Sequence, residues 1–237
     1  MSLETLRVLK ELEKYPTFGI ATIAGIIDKD SSYAKVYLNR LNKRGLVQKL
    51  QRNVYTVHQD PIIIASRITW PSYISLWAAI RHHNLTEQLP TVISVLTTST
   101  KSRRVISLAN TRIVFKRIRP SHFFGFSKIR VGDFDVFMAE PEKAVIDAVL
   151  LKEISVSEIY SILRENLKAI SVKRLSDYVL RTRNKALAKR FGWMLESLGY
   201  KAGKLKAMTY KTVIPLDYAR PASGKKDAKW GVVVNVG

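Results

Sequence analysis

The chain has 237 residues, 46% of them hydrophobic, which is ample for packed cores and excludes a disordered polymer. Forty Lys and Arg against 19 Asp and Glu leave a formal charge of +21, spread as +5 over 1–59, +6 over 60–140, +4 over 141–199 and +6 over 200–237. Distributed positive charge attracts polyanions, so nucleic acid is a better-supported partner than any small molecule, with an acidic protein as the competing reading. Cysteine is absent, which excludes disulfides, thiolate metal sites and cysteine nucleophiles. The opening Met-Ser-Leu-Glu-Thr-Leu-Arg has no basic n-region followed by an apolar run, and no stretch approaches the ~18 apolar residues of a membrane helix. A soluble, cytoplasmic protein without membrane contact is expected.

Leu6, Leu9 and Leu12 with Val8 predict an amphipathic first helix. A short apolar stretch, Ile23, Ala24, Ile26 and Ile27, follows. Asp28, Asp30, Ser31 and Ser32 then crowd together, and such side chains cap helices through nearby backbone N–H groups, so a helix starts at 31 or 32. In it Ala34, Leu38 and Leu41 form an apolar stripe, while Ser32, Lys35, Asn39 and Lys43 share the opposite flank, with Tyr33 and Arg40 at its edges. Gly45 stops the helix after Lys43-Arg44, cations that suit its negative end. Residues 46–50 and 54–57 alternate as a ribbon joined by Gln51-Arg52-Asn53. Helix, turn, helix and ribbon in this order parse as a winged helix-turn-helix. Asn39 and Arg40 offer bidentate donors for purine edges; Ser32, Tyr33, Lys35 and Lys43 line the same flank; Lys49, Arg52 and Asn53 on the wing stand where a backbone or a second groove would pass. These nine residues are the candidate contacts to double-stranded DNA. The competing reading is a protein-interaction module whose winged helix does not read DNA.

After His58-Gln59-Asp60-Pro61, residues 62–68 and 72–82 look helical, the latter opening on Pro71-Ser72. Residues 91–98, 111–117 and 134–139 are β-branched or alternating and predict strands, with turns at Ala109-Asn110 and Gly132-Asp133. Glu140-Pro141-Glu142-Lys143 opens a helix whose run from Ala144 to Leu151 is nearly all apolar and therefore buried.

Three blocks resemble the AbiEi-type antitoxin and transcriptional-regulator family: Trp70-Pro71-Ser72-Tyr73-Ile74-Ser75-Leu76-Trp77-Ala78-Ala79-Ile80-Arg81-His82-His83-Asn84-Leu85-Thr86-Glu87-Gln88-Leu89-Pro90, Val92-Ile93-Ser94-Val95, and Val136-Phe137-Met138-Ala139-Glu140-Pro141-Glu142-Lys143-Ala144-Val145-Ile146-Asp147. The resemblance covers about residues 1–155. It implies an N-terminal winged helix that represses its own operon, the outward residues of 31–44 and the wing tip touching operator DNA. It also implies an antitoxin domain that counteracts a nucleotidyltransferase-like toxin encoded alongside. Asn84 and Asn53 stand where many members have Gly, and Asn tolerates the left-handed backbone those turns require.

Residues 156–168, 172–183 and 186–198 have helical spacing, with Ser155 and Ser171 as caps and Asn184 and Gly199 as stops. Arg181, Arg183, Lys185, Lys189 and Arg190 cluster at the second junction, as a phosphate or acidic-partner contact or as a solvated helix rim. Residues 210–216 and 230–236 look like strands that pair with each other or join the central sheet, separated by a loop over 219–229. The whole reads as an α+β protein: a winged helix over 1–59, an α+β antitoxin-like domain over 60–153, and a helical bundle with terminal strands over 154–237.

Enzyme readings find little support. No Gly-rich phosphate loop, Gly-x-Ser-x-Gly or His-Glu-x-x-His is present. Asp133 and Asp135, two apart, would share a strand face as nucleotidyltransferase metal carboxylates do, but the Gly-Ser turn that such enzymes place upstream is missing. His82-His83 point to different helix faces, with no further ligand one turn away. No catalytic residue, metal site or cofactor is expected.

Overall fold

The computed structural model describes residues 2–100, 105–108 and 110–236. Its mixture of helices and sheets is α+β, as the sequence indicates. The chain divides into two compact units: the first runs to Ile74 and includes Thr91–Arg117 and Lys128–Phe137, and the second comprises Ser75–Pro90, Ile118–Ser127 and the chain from Met138 onward. This partition cuts the chain differently from the three consecutive segments read from sequence.

The first unit opens with three helices, α1 (Leu3–Leu12), α2 (Ile20–Ile27) and α3 (Ser31–Lys43), followed by the antiparallel ribbon β1 (Gln48–Gln51) and β2 (Val54–Thr56). Val8, Leu12, Phe18, Ile23, Ala34, Leu38, Leu41 and Val47 form its core. The inward face of α1 is Thr5, Val8 and Leu12; Leu6, expected there, is exposed. Next comes α4 (Pro61–Ala65), capped by Asp60 and shorter than the helix expected over 62–68.

A six-stranded sheet has the order β5-β6-β4-β3-β8-β7, built from β3 (Ser72–Ser75), β4 (Val92–Thr97), β5 (Val105–Ser107), β6 (Arg112–Arg117), β7 (Phe126–Val131) and β8 (Phe134–Ala139). β4 and β6 pair in parallel, Val92 opposite Arg112. The helix expected over 72–82 is corrected: β3 occupies its first four residues, and only α5 (Trp77–His82) is helical. All four β3 residues are buried between β8 and β4, and a short strand buried on both faces has no two-residue alternation to betray it. Leu76, at φ 57, turns the chain from strand to helix. Gly132, at φ 55, serves the expected turn between β7 and β8; of the Ala109-Asn110 turn, Ala109 lies outside the described residues.

The second unit contains α5, α6 (Pro141–Leu150), α7 (Val156–Asn166), α8 (Val172–Arg181), α9 (Lys185–Ser197) and α10 (Gly203–Lys206). α6 is buried from Glu142 to Val149 as its apolar run requires. Within it Lys143 and Asp147, one turn apart and both fully buried, form an ion pair, and Ser75 Oγ donates to Asp147 Oδ2 at 2.8 Å. Glu142 Oε1 accepts from the Ser171 N–H at 2.7 Å, fixing the start of α8. Ser155 and Ser171 cap α7 and α8 as expected. Asn184 does not stop α8 but caps α9, accepting from Ala186 and Leu187 N–H; Arg183, at φ 54, makes the turn between the two helices.

The terminal strands pair with each other and not with the central sheet. β9 (Ile214–Pro215) runs parallel to β11 (Val232–Val234), and β10 (Lys225–Asp227), inside the expected loop, pairs antiparallel to β11. Lys189 and Arg190, expected on an exposed basic cluster, are buried and hold this sheet. Lys189 Nζ donates to the carbonyls of Thr212 and Gly231, and Arg190 donates to those of Leu216 (2.9 Å) and Pro215 (3.2 Å). A cation can be buried without a carboxylate when carbonyl oxygens satisfy its donors. Asp217, also fully buried, accepts from Ser157 N–H and Oγ at the start of α7.

Candidate nucleic-acid interface

α3 begins where Asp30 accepts from the N–H groups of Ser32 (2.7 Å) and Tyr33 (2.9 Å), and these hydrogen bonds hold the carboxyl below its ordinary pKa. It ends on Gly45 at φ 70, with Gly45 N–H to Asn42 O and Leu46 N–H to Leu41 O closing the last turn. Burial of Ala34, Leu38 and Leu41 fixes its rotation. At about 100° per residue, Ser32, Val36, Asn39, Arg40 and Lys43 must then face away from the core, flanked by Tyr33 and Lys35. All seven are exposed.

Val36, absent from the sequence-derived set, sits near the centre of this face and is 51% exposed. Its signal in the sequence is an apolar residue amid the polar flank, two positions out of step with the buried stripe.

The wing is pinned to the start of α2. Phe18 and Tyr55 exchange two backbone hydrogen bonds at 2.9 Å. Asn53, at φ 57, accepts the Ile20 N–H on its side-chain oxygen at 2.8 Å. Gly19 permits this approach, since a Cβ there would come within 3.0 Å of the Asn53 carbonyl. Asn53 is thus exposed as expected, but its side-chain carbonyl is engaged locally and only its amide nitrogen is left for a ligand. Asn84 also adopts φ 55, so both asparagines take the left-handed backbone. Lys49 lies opposite Tyr55 on the ribbon, Arg52 stands at its tip, and both are exposed.

Seven cations therefore surround the outward face of α3 and the wing: Lys29, Lys35, Arg40, Lys43, Arg44, Lys49 and Arg52. All are exposed, and among the described residues none of them forms a salt bridge. The nearby carboxylate Asp30 is occupied with capping. Unpaired, solvated cations around amide and guanidinium donors can bind phosphate oxygens and base edges without first breaking internal ion pairs.

The other sequence candidates are engaged elsewhere. Asp135 is bound to Lys128 (3.1 Å) and Arg130 (3.5 Å), which hold its carboxyl below the usual range, and Asp133 faces Arg130 at 3.7 Å. His83 Nε2 donates to the Ala139 carbonyl at 2.8 Å, and burial lowers the pKa of His82, with a smaller contribution from His83. Among the described residues no three His, Asp or Glu side chains gather in a metal-holding group, and no helix is long and apolar enough to cross a membrane. Comparison with protein-family models and with curated proteins gives no match to the chain.

Proposed function

We propose that the chain is a DNA-binding transcriptional regulator whose first 59 residues act as a winged helix-turn-helix, α3 entering the major groove and the wing touching the backbone. The observation that carries this reading is the set of seven exposed cations, Arg40 among them, that surround Asn39 and form no salt bridge among the described residues. On the resemblance drawn from sequence, it represses its own operon in the cytoplasm and serves as antitoxin to a nucleotidyltransferase-like toxin, without catalysis or cofactor of its own.

Selection of preferred duplexes from a random library, followed by affinity measurements, tests the reading. Asn39→Ala or Arg40→Ala should cost about 1–3 kcal/mol on the selected site and relax the preference at particular base pairs, because these side chains can make bidentate edge contacts. Random duplex should lose much less affinity than the selected site. Val36→Ala should weaken only sites that present a thymine methyl to this face. Equal losses on every sequence, or none, would leave a protein-interaction module as the better description.

A further inference from the structure

The second unit carries a basic segment that DNA reading by α3 does not use. Residues 200–211 contain Lys201, Lys204, Lys206 and Lys211 and no carboxylate. Burial of Ala202 and Leu205 anchors the single turn of α10, which leaves the four lysines exposed. Among the described residues none of the four is in a salt bridge.

Two clefts flank the segment. One, of about 510 Å³, is lined by Tyr200, Lys201 and Lys204, with Lys173 and the carboxylate of Asp177 on the α8 side. The other, of about 330 Å³, is lined by Lys206, Tyr210 and Lys211. Each sets a tyrosine beside at least two lysines; Tyr200 is 42% exposed, whereas the Tyr210 ring already carries the Lys189 ammonium at 4.0 Å, so Tyr200 is the stacking platform. Lysines alone would suit any polyanion, so the clefts and rings decide. A duplex keeps its bases stacked, so it presents phosphates and groove edges but no free base face to fill a cleft or lie on a ring. A single strand can turn a base into a cleft, stack it on a ring and leave its phosphates to the lysines. An acidic protein surface presents mainly carboxylates, which exposed lysines bind without a cleft or a ring. We propose that residues 200–211, with Lys173, form a binding site for single-stranded nucleic acid, separate from the α3 face.

The test uses the full chain, a labelled oligouridine of about 16 nucleotides, the upper end of single-strand site sizes, and a labelled mixed-sequence duplex. Tyr200→Ala should lower oligouridine affinity about fivefold or more, as loss of a stacking platform does, with Tyr200→Phe retaining affinity and duplex binding unchanged. Lys201→Ala with Lys204→Ala should flatten the salt dependence on oligouridine by about 0.7 per lost phosphate contact. Arg40→Ala with Lys49→Ala and Arg52→Ala should weaken duplex binding and leave oligouridine binding in place. Absence of oligouridine binding, parallel losses on both probes with Tyr200→Ala, or abolition of both by the α3 and wing changes would overturn the proposal. Failure of duplex binding alone would count against the α3 reading and not against this one.

Discussion

Asp147→Ala is expected to destabilise the second unit by about 3–5 kcal/mol, because it strands the ammonium of Lys143 in a site with no exposure to water. Lys143 lies 5.1 Å from the Phe124 ring, and the Arg181 cation lies over the same ring at 4.0 Å. Ser75 loses its acceptor as well. The effect should carry a pH signature. Burial already lowers the pKa of Lys143 below its ordinary 10.5, and the charge and hydrogen bond of Asp147 pull it back up. Without Asp147 it falls further. Above its own lowered value the folded variant binds fewer protons than its unfolded chain, so its stability rises with pH. Until the parent's higher value is reached the parent gains nothing, and the deficit shrinks across the window between the two. Denaturant unfolding at several pH values measures it; a pH-independent deficit would contradict the assignment. Replacing both partners, Lys143→Met with Asp147→Leu, should recover most of the loss, since two apolar groups need no counter-charge.

Trp230→Ala should cost a similar amount, about 3–5 kcal/mol, by opening a cavity beneath the terminal sheet. The indole is 1% exposed and packs against Gly192, where an added Cβ would overlap the ring. Its Nε1 donates to Glu196 Oε2 at 2.8 Å, and Lys229 binds the other carboxylate oxygen at 2.7 Å. Loss of the ring therefore removes packing, and it also takes the indole donor from a carboxylate that is only partly buried and keeps its bond to Lys229. Gly192→Ala should act in the same direction through overlap with the ring. Proteolysis within 219–229, followed by mass spectrometry, should appear in both variants under conditions where the parent chain resists; resistance in both would mean that the indole does not anchor the strands.

The N-terminal segment was the most legible part of the sequence, because its signals are local. Asp30 as cap, Gly45 as stop and the spacing of Ala34, Leu38 and Leu41 each act within a turn or two, and together they orient the outward flank. What escaped depends on distant partners. β3 owes its strand state to burial between β4 and β8, and nothing in Ser72-Tyr73-Ile74-Ser75 announces that. Lys189 and Arg190 look like surface cations until the carbonyls of Thr212, Pro215, Leu216 and Gly231 arrive from more than twenty residues downstream. Asn184 has the chemistry of both a stop and a cap, and the left-handed turn one residue earlier at Arg183 decides between them. Of the proposed contacts, all nine side chains are exposed, but the local bond from Ile20 to Asn53 is a tertiary feature that spacing does not encode.

The most direct measurement is the salt dependence of binding to duplex DNA by the full chain and by Lys49→Ala with Arg52→Ala. If α3 and the wing grip the phosphate backbone, log K falls steeply with log salt concentration, and the double change flattens the slope by about 0.9 per lost phosphate contact, hence by nearly two. A slope that the double change leaves unaltered, or no salt-dependent binding to duplex at all, would contradict the account.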